Sequence, residues 1–185
     1  IRDSNRPVAW RGPMLHRAVE QFLTDVYWGD LDYLLVDLPP GTGDVAISLG
    51  QLLPRAQSLV ITTPQAAAAT IAERSGAIGL MTGQSVLGVI ENMSYHESGS
   101  GKEFIFGQGG GQSVAKRLSE LSQADVALLG QIPISSRLRE SADAGKPIVS
   151  EDPLDPAARA IVEIAEKLSK LPRGLSGKKL GLNPI

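Results

Sequence analysis

Asp32-Tyr33-Leu34-Leu35-Val36-Asp37-Leu38-Pro39-Pro40-Gly41-Thr42-Gly43-Asp44 is the stretch on which the reading of this chain turns. An apolar run ends in an acid, then in Pro-Pro, then in a loop with two glycines and a second acid. A run such as 33–36, without a polar member, predicts a strand buried on both faces of a parallel sheet. Functional groups in such sheets lie just past the carboxyl ends of the strands, which is where Asp37 falls. A carboxylate there can hold Mg²⁺, directly or through water. Gly41 and Gly43 allow backbone N–H groups to approach a phosphate with no Cβ in the way. A lone Asp more often caps a turn; the thirteen-residue pattern as a whole favours the functional reading.

Outward from that stretch, short runs rich in Leu, Val and Ile predict strands at 33–37, 58–62, 85–91 and 126–132. Helices are expected between and after them, at 13–27, 45–53, 66–82, 112–121, 137–144 and 156–171. Pro13 and Pro156 fall where a helix begins and needs no N–H, and Asp155 is a natural N-cap. Alternating strands and helices with short links predict an α/β fold, a parallel sheet with helices on both faces. One domain over residues 1–171 and a disordered tail over 172–185 are the expected organisation.

At 185 residues the chain is long enough for a real core, and 42% apolar with 21% charged residues is ordinary for a globular domain. A net charge of −2 gives no support to nucleic-acid binding. No run approaches the ~20 apolar residues of a membrane helix, and the polar start does not read as a signal peptide. Cytoplasmic placement is the expectation that follows. The chain has no cysteine, so it forms no disulfide. Neither His16 nor His96 has a neighbourhood suggesting a nucleophilic triad.

The central pattern resembles the Mrp/ApbC branch of the MinD/ParA-like P-loop ATPases, whose members are iron–sulfur cluster carriers. Further stretches resemble the family in its order: Trp10-Arg11-Gly12-Pro13-Met14, Trp28-Gly29-Asp30-Leu31-Asp32-Tyr33 and Ile61-Thr62-Thr63-Pro64-Gln65. Gly88-Val89-Ile90-Glu91-Asn92-Met93-Ser94 follows, then Phe106-Gly107 with Gly109-Gly110-Gly111, then Leu129-Gly130-Gln131-Ile132-Pro133. Each motif is weak alone; together, over about 8–149, they are specific.

The resemblance implies ATP and Mg²⁺ as cofactors and Asp37 as the acid linked to Mg²⁺. It makes Gly41 and Thr42 the loop that senses the γ-phosphate, with Asp44 as a further polar contact. Asp44 also reads as an N-cap of the helix after it. Asn92 would recognise the adenine edge, since a carboxamide offers an acceptor and two donors to a base; an Asn that satisfies its own turn is the alternative. Pro133, Ile134 and Ser135 would wall the base, with Ser135 where relatives often carry an acid. Thr62, Thr63, Pro64 and Gln65 would form a loop beside the nucleotide or a partner subunit.

Family members carry a Gly-rich P-loop with its lysine upstream of these motifs, and no G-x-x-x-x-G-K-[ST] string occurs in the 185 residues. With no initiating Met, the chain is expected to be a piece of a longer protein and inactive alone. The family fold places the P-loop strand in the middle of the sheet, so a chain without it would leave costly unpaired strand edges. Many family members also share a [4Fe–4S] cluster across a homodimer through a C-x-x-C pair, which some branches lack. That place reads Tyr95-His96-Glu97-Ser98-Gly99-Ser100 here, with no Cys ligand. The full-length protein is thus expected to be a homodimeric ATPase that serves iron–sulfur apoproteins or assembly factors. A nucleotide-switched scaffold of the ParA/MinD type that carries no cluster is the alternative.

Overall fold

The computed structural model describes residues 12–39 and 43–171. Cα packing divides the chain into two compact units, with the division between Ile134 and Ser135. The expected tail at 172–185 lies outside the described residues.

The first unit runs α1 (Gly12–Thr24), α2 (Asp44–Leu52), β1 (Gln57–Thr62), α3 (Ala66–Met81) and β2 (Ser85–Glu91). It continues with β3 (His96–Ser98), β4 (Gly101–Glu103), α4 (Gly110–Ser122) and β5 (Leu128–Gln131). Strands β1, β2 and β5 form a parallel sheet in that order. The carboxyl ends of all three therefore lie along one edge, with Thr62 opposite Glu91 and Glu91 opposite Gln131. A register irregularity falls between Val89 and Ile90. Close approach accompanies it, since a Cβ on Gly88 would lie 2.9 Å from the Ala127 carbonyl.

Helices α3 and α4 pack on this sheet and on each other. The core joins Val60 and Val89 of the strands to Ala69 and Ala72 of α3, Val114, Ala115 and Leu118 of α4, and Val126. Small residues on α3 let α4 come close: a Cβ on Gly76 would stand 2.7 Å from a Leu118 methyl carbon. On the other face of β1, Ile61 remains 54% exposed.

The predicted strand at 33–37 is not formed. Residues 33–39 run outside the sheet and are exposed, with Leu35 at 86%. An apolar run of this kind becomes a strand covered on both faces only where neighbouring strands hold it. The three-stranded sheet of the described residues does not include it. A short antiparallel β3–β4 hairpin forms in the polar stretch 96–103, for which no strand was expected. Its turn is held by the Ser98 hydroxyl, which donates to the Gly101 carbonyl at 3.0 Å, and by Gly101 at φ 120°. The Lys102 ammonium caps the Tyr95 ring at 3.8 Å, and Tyr95 meets Phe104 edge-on.

The second unit comprises α5 (Ser136–Asp143), α6 (Ile148–Glu151) and α7 (Pro156–Lys170). Asp155 caps α7 as expected, accepting from the Ala157 N–H at 2.7 Å. Its other oxygen accepts from the Ser135 hydroxyl at 3.0 Å, while Ser135 in turn accepts from the Leu138 N–H. One hydrogen-bonded pair thus satisfies the starts of two helices. Lys167 and Lys170 complement the carboxyl end of α7.

Candidate functional site

Past the end of β2 the chain keeps its neighbours. The Asn92 N–H donates to the Thr62 carbonyl at 2.8 Å, tying it to the end of β1. On the other side, the Ile132 N–H donates to the Glu91 carbonyl, the Ser94 N–H to the Ile132 carbonyl and the Ile134 N–H to the Tyr95 carbonyl, at 2.8, 3.0 and 2.7 Å. Residues 91–95 and 132–134 therefore run together beyond the sheet and bring Asn92, Pro133 and Ile134 to one place. Pro133 is buried, and Ile134 is half-buried.

Asn92 uses part of its carboxamide locally: Oδ1 accepts from the Met93 N–H at 2.9 Å. Met93 adopts a left-handed backbone, φ 53°, which turns the chain sharply at this point. The Asn92 amide nitrogen, which carries two donors, engages no acceptor among the described residues. Both expectations for Asn92 are thus compatible with one conformation. Ser135 stands at the start of the second unit, where its hydroxyl is committed to the α5 cap and to Asp155.

Around the end of β1, the buried Thr62 hydroxyl donates to the Thr63 carbonyl at 3.2 Å, and Thr63 bonds Gln65 through their side chains. Here the glycine cluster finds its structural reason. A Cβ on Gly110 would lie 2.6 Å from the Pro64 carbonyl oxygen and 2.7 Å from that of Thr63. One on Gly111 would lie 2.8 Å from the Glu91 Cβ. Glycine at both positions lets α4 start against the ends of β1 and β2. Gly110→Ala is expected to destabilise the chain by about 1 to 3 kcal/mol, because backbone must move to admit the methyl. A urea midpoint equal to that of the parent would contradict this packing.

Sequence reasoning did not single out Glu91. It is 1% exposed, and its Oε2 accepts from the Gly111 N–H at 2.6 Å while Oε1 accepts from Gln131 Nε2 at 2.8 Å. The available signal was an acid closing an otherwise apolar strand, which in a buried strand demands a partner.

Asp37 lies on the exposed 33–39 segment, and no hydrogen bond or ion pair among the described residues joins it to Asn92, Pro133 or Ile134. Gly41 and Thr42 lie outside the described residues. Asp44 is the first residue of α2, while Gly43 is its N-cap and provides no side-chain bond. The expected capping role of Asp44 is therefore replaced by an acid in the first turn, which favours the helix through its dipole. Among the described residues no three His, Cys, Asp or Glu side chains cluster as a metal would need. His96 and Glu97 are exposed on β3. No helix of the described residues is long and apolar enough to cross a membrane.

Over residues 1–169 the sequence matches the ParA family described as NUBPL iron-transfer P-loop NTPase. It is 56% identical over 183 residues to the iron-sulfur cluster carrier protein of Mycobacterium bovis, covering 98% of this chain and 48% of the relative. The protein of that name from Bacillus subtilis is 44% identical over 134 residues, covering 71% of this chain and 36% of the relative. This chain thus spans about half or less of the length of these curated relatives.

Among solved structures, the nucleotide-binding protein in complex with ADP from Archaeoglobus fulgidus superposes with a TM-score of 0.59 at 33% identity, over 71% of this chain and 53% of that one. The septum site-determining protein MinD from Pyrococcus horikoshii, complexed with Mg-ADP, shares the fold at TM-score 0.59 and 24% identity, over 95% and 65% of the two chains.

Proposed function

This chain belongs to the ParA family of NUBPL iron-transfer P-loop NTPases, and from that premise we propose that the full-length protein binds and hydrolyses ATP in the assembly or transfer of iron–sulfur clusters. The observation that carries the nucleotide part is the placement of Asn92. It lies at the carboxyl edge of a parallel sheet, the usual ligand edge of such folds, with open amide donors beside residues 132–134. The ADP complex of the Archaeoglobus fulgidus protein supports the same reading.

In this proposal the Asn92 amide donates to ring nitrogens of adenine, and Pro133, Ile134 and Ser135 form the adjoining wall. Asp37 suits Mg²⁺, because that ion keeps most of its water and needs only one or two carboxylates beside phosphate oxygens. The lone exposed Asp37 fits such a role, although it would not make an all-protein cage. Bound Mg²⁺ would supply charge neutralisation on the phosphates. The Gly41 N–H and Thr42 would meet the γ-phosphate, with Asp44 as a polar contact behind them. Asn92→Ala in the full-length protein is expected to weaken ATP binding by about tenfold, the scale of one or two well-placed hydrogen bonds. Equal affinity in a calorimetric titration would remove Asn92 from the base site.

The cluster is cargo in this reading. A chain without cysteine has no thiolate to hold it, so these 185 residues do not fit a [4Fe–4S] ligand set. That absence favours one second reading, a nucleotide-switched scaffold of the ParA/MinD type. Iron and sulfide analysis of the full-length protein after anaerobic reconstitution separates the two. Stoichiometric cluster per homodimer supports a carrier with ligands outside this chain; protein free of iron supports the switch. A cytoplasmic homodimer that delivers clusters to apoproteins or works with assembly factors completes the proposal.

A further inference from the structure

We infer that Glu91 is the positioning residue of the adenine site, an inference that rests on the proposed role of Asn92. The Glu91 side chain is 1% exposed, so it cannot itself touch a nucleotide. A carboxylate removed from water is tolerated only when hydrogen bonds replace its hydration. Glu91 has two. Oε2 accepts from the Gly111 N–H at the start of α4, a charge-assisted bond of 2.6 Å in the favourable field of a helix amino end. Oε1 accepts from Gln131 Nε2 on β5 at 2.8 Å.

The main chain of the same residue joins the network. Its carbonyl accepts from the Ile132 N–H and from the buried Ser94 hydroxyl, both at 2.8 Å. One residue thus fastens the end of β2 to the start of α4, to β5 and to the turn that follows. Asn92 is the next residue along the chain. The turn at Met93 is in a left-handed conformation that a non-glycine residue adopts only where its surroundings hold it. The Glu91 clamp is that hold. It sets where the Asn92 amide points relative to residues 132–134.

The α4 start also gains a second meaning. A glycine run opening a helix can receive a phosphate. In this chain the anion at that helix start is the protein's own carboxylate, so the Gly109–Gly111 run serves the base end of the site by holding Glu91.

The test compares ATP with inorganic tripolyphosphate, which has the phosphates and lacks the base, as ligands of the full-length protein. Glu91→Ala is expected to weaken ATP by about tenfold and to leave tripolyphosphate unchanged. Glu91→Gln should bind ATP like the parent, since its amide oxygen still accepts from Gly111 and Gln131 can turn its own oxygen toward the new amine. Gln131→Ala, which removes one arm of the clamp and leaves the other, should show a smaller loss confined to ATP; it serves where Glu91→Ala does not fold. A folded Glu91→Ala protein that binds ATP like the parent overturns the inference. So does an equal loss for both ligands, the mark of a purely structural role. A parent protein that binds ATP no more tightly than tripolyphosphate overturns the adenine-site reading itself, and the inference with it.

Discussion

Leu118→Ala should cost the folded chain about 2 to 5 kcal/mol, a large share of the ~5–15 kcal/mol that holds a typical domain. Leu118 is wholly buried and belongs to the cluster that unites β1, β2, α3 and α4. Truncation removes three carbon groups from the buried cluster that also holds Val60, Val89 and Val114, and leaves a void that costs beyond the lost burial. The approach of Gly76 makes a sharper version of the test. Its missing Cβ would lie 2.7 Å from one Leu118 methyl carbon and 2.8 Å from the other. Gly76→Ala alone should therefore overpack the contact and be neutral or unfavourable, despite the ~1 kcal/mol that alanine gains over glycine in a helix. In the Leu118→Ala background the same methyl enters the vacated space and should recover about 1 kcal/mol or more. Urea denaturation of the four chains gives the coupling. Additive effects would show that α3 and α4 do not pack through this pair.

Asp37→Ala in the full-length protein should reduce Mg²⁺-dependent ATP hydrolysis by about 100-fold or more, as removal of a group that stabilises developing charge commonly does. In the 185-residue chain the same change should alter stability by less than ~0.5 kcal/mol, because Asp37 there is exposed and outside the sheet of the described residues. Those two outcomes together distinguish a chemical role from a structural one. Steady-state turnover across a Mg²⁺ series, with a thermal melt of each protein, measures both. Turnover equal to that of the parent would end the assignment of Asp37.

Where the sequence could be read, local pattern and tertiary setting agreed. The run Ser85 to Glu91 and the segment near Ser58 to Thr62 have β-rich composition, clear punctuation and sheet neighbours, and both are strands. Asp155 announces α7 because an N-cap needs only its own next turn. The run 33–37 misled because its apolar character states what it must bury against, and its neighbours are not set by local pattern. The β3–β4 hairpin was hidden for the opposite reason. Its residues are polar throughout, and its order comes from the Lys102–Tyr95 contact and a serine-held turn.

The resemblance names Asn92, Pro133 and Ile134 for the base, and backbone hydrogen bonds run residues 91–95 beside 132–134. The resemblance also names Ser135 as a wall of the base; its hydroxyl accepts from the Leu138 N–H as the N-cap of α5, a role that needs only the next turn of chain. Glu91 escaped because the meaning of a buried acid depends on Gly111 and Gln131, twenty and forty residues away.

On the proposed reading this chain supplies the base end and the Mg²⁺-linked acid of an ATP site whose phosphate-gripping lysine loop is not among its 185 residues. Titration of Mg–ATP into the chain alone, and into the full-length protein, tests it most directly. Binding is expected for the full-length protein, with an affinity at least about 100-fold weaker for the chain alone, since the phosphate contacts come from the missing loop. Equally tight binding by the chain alone would contradict it and would place the phosphate grip within these residues.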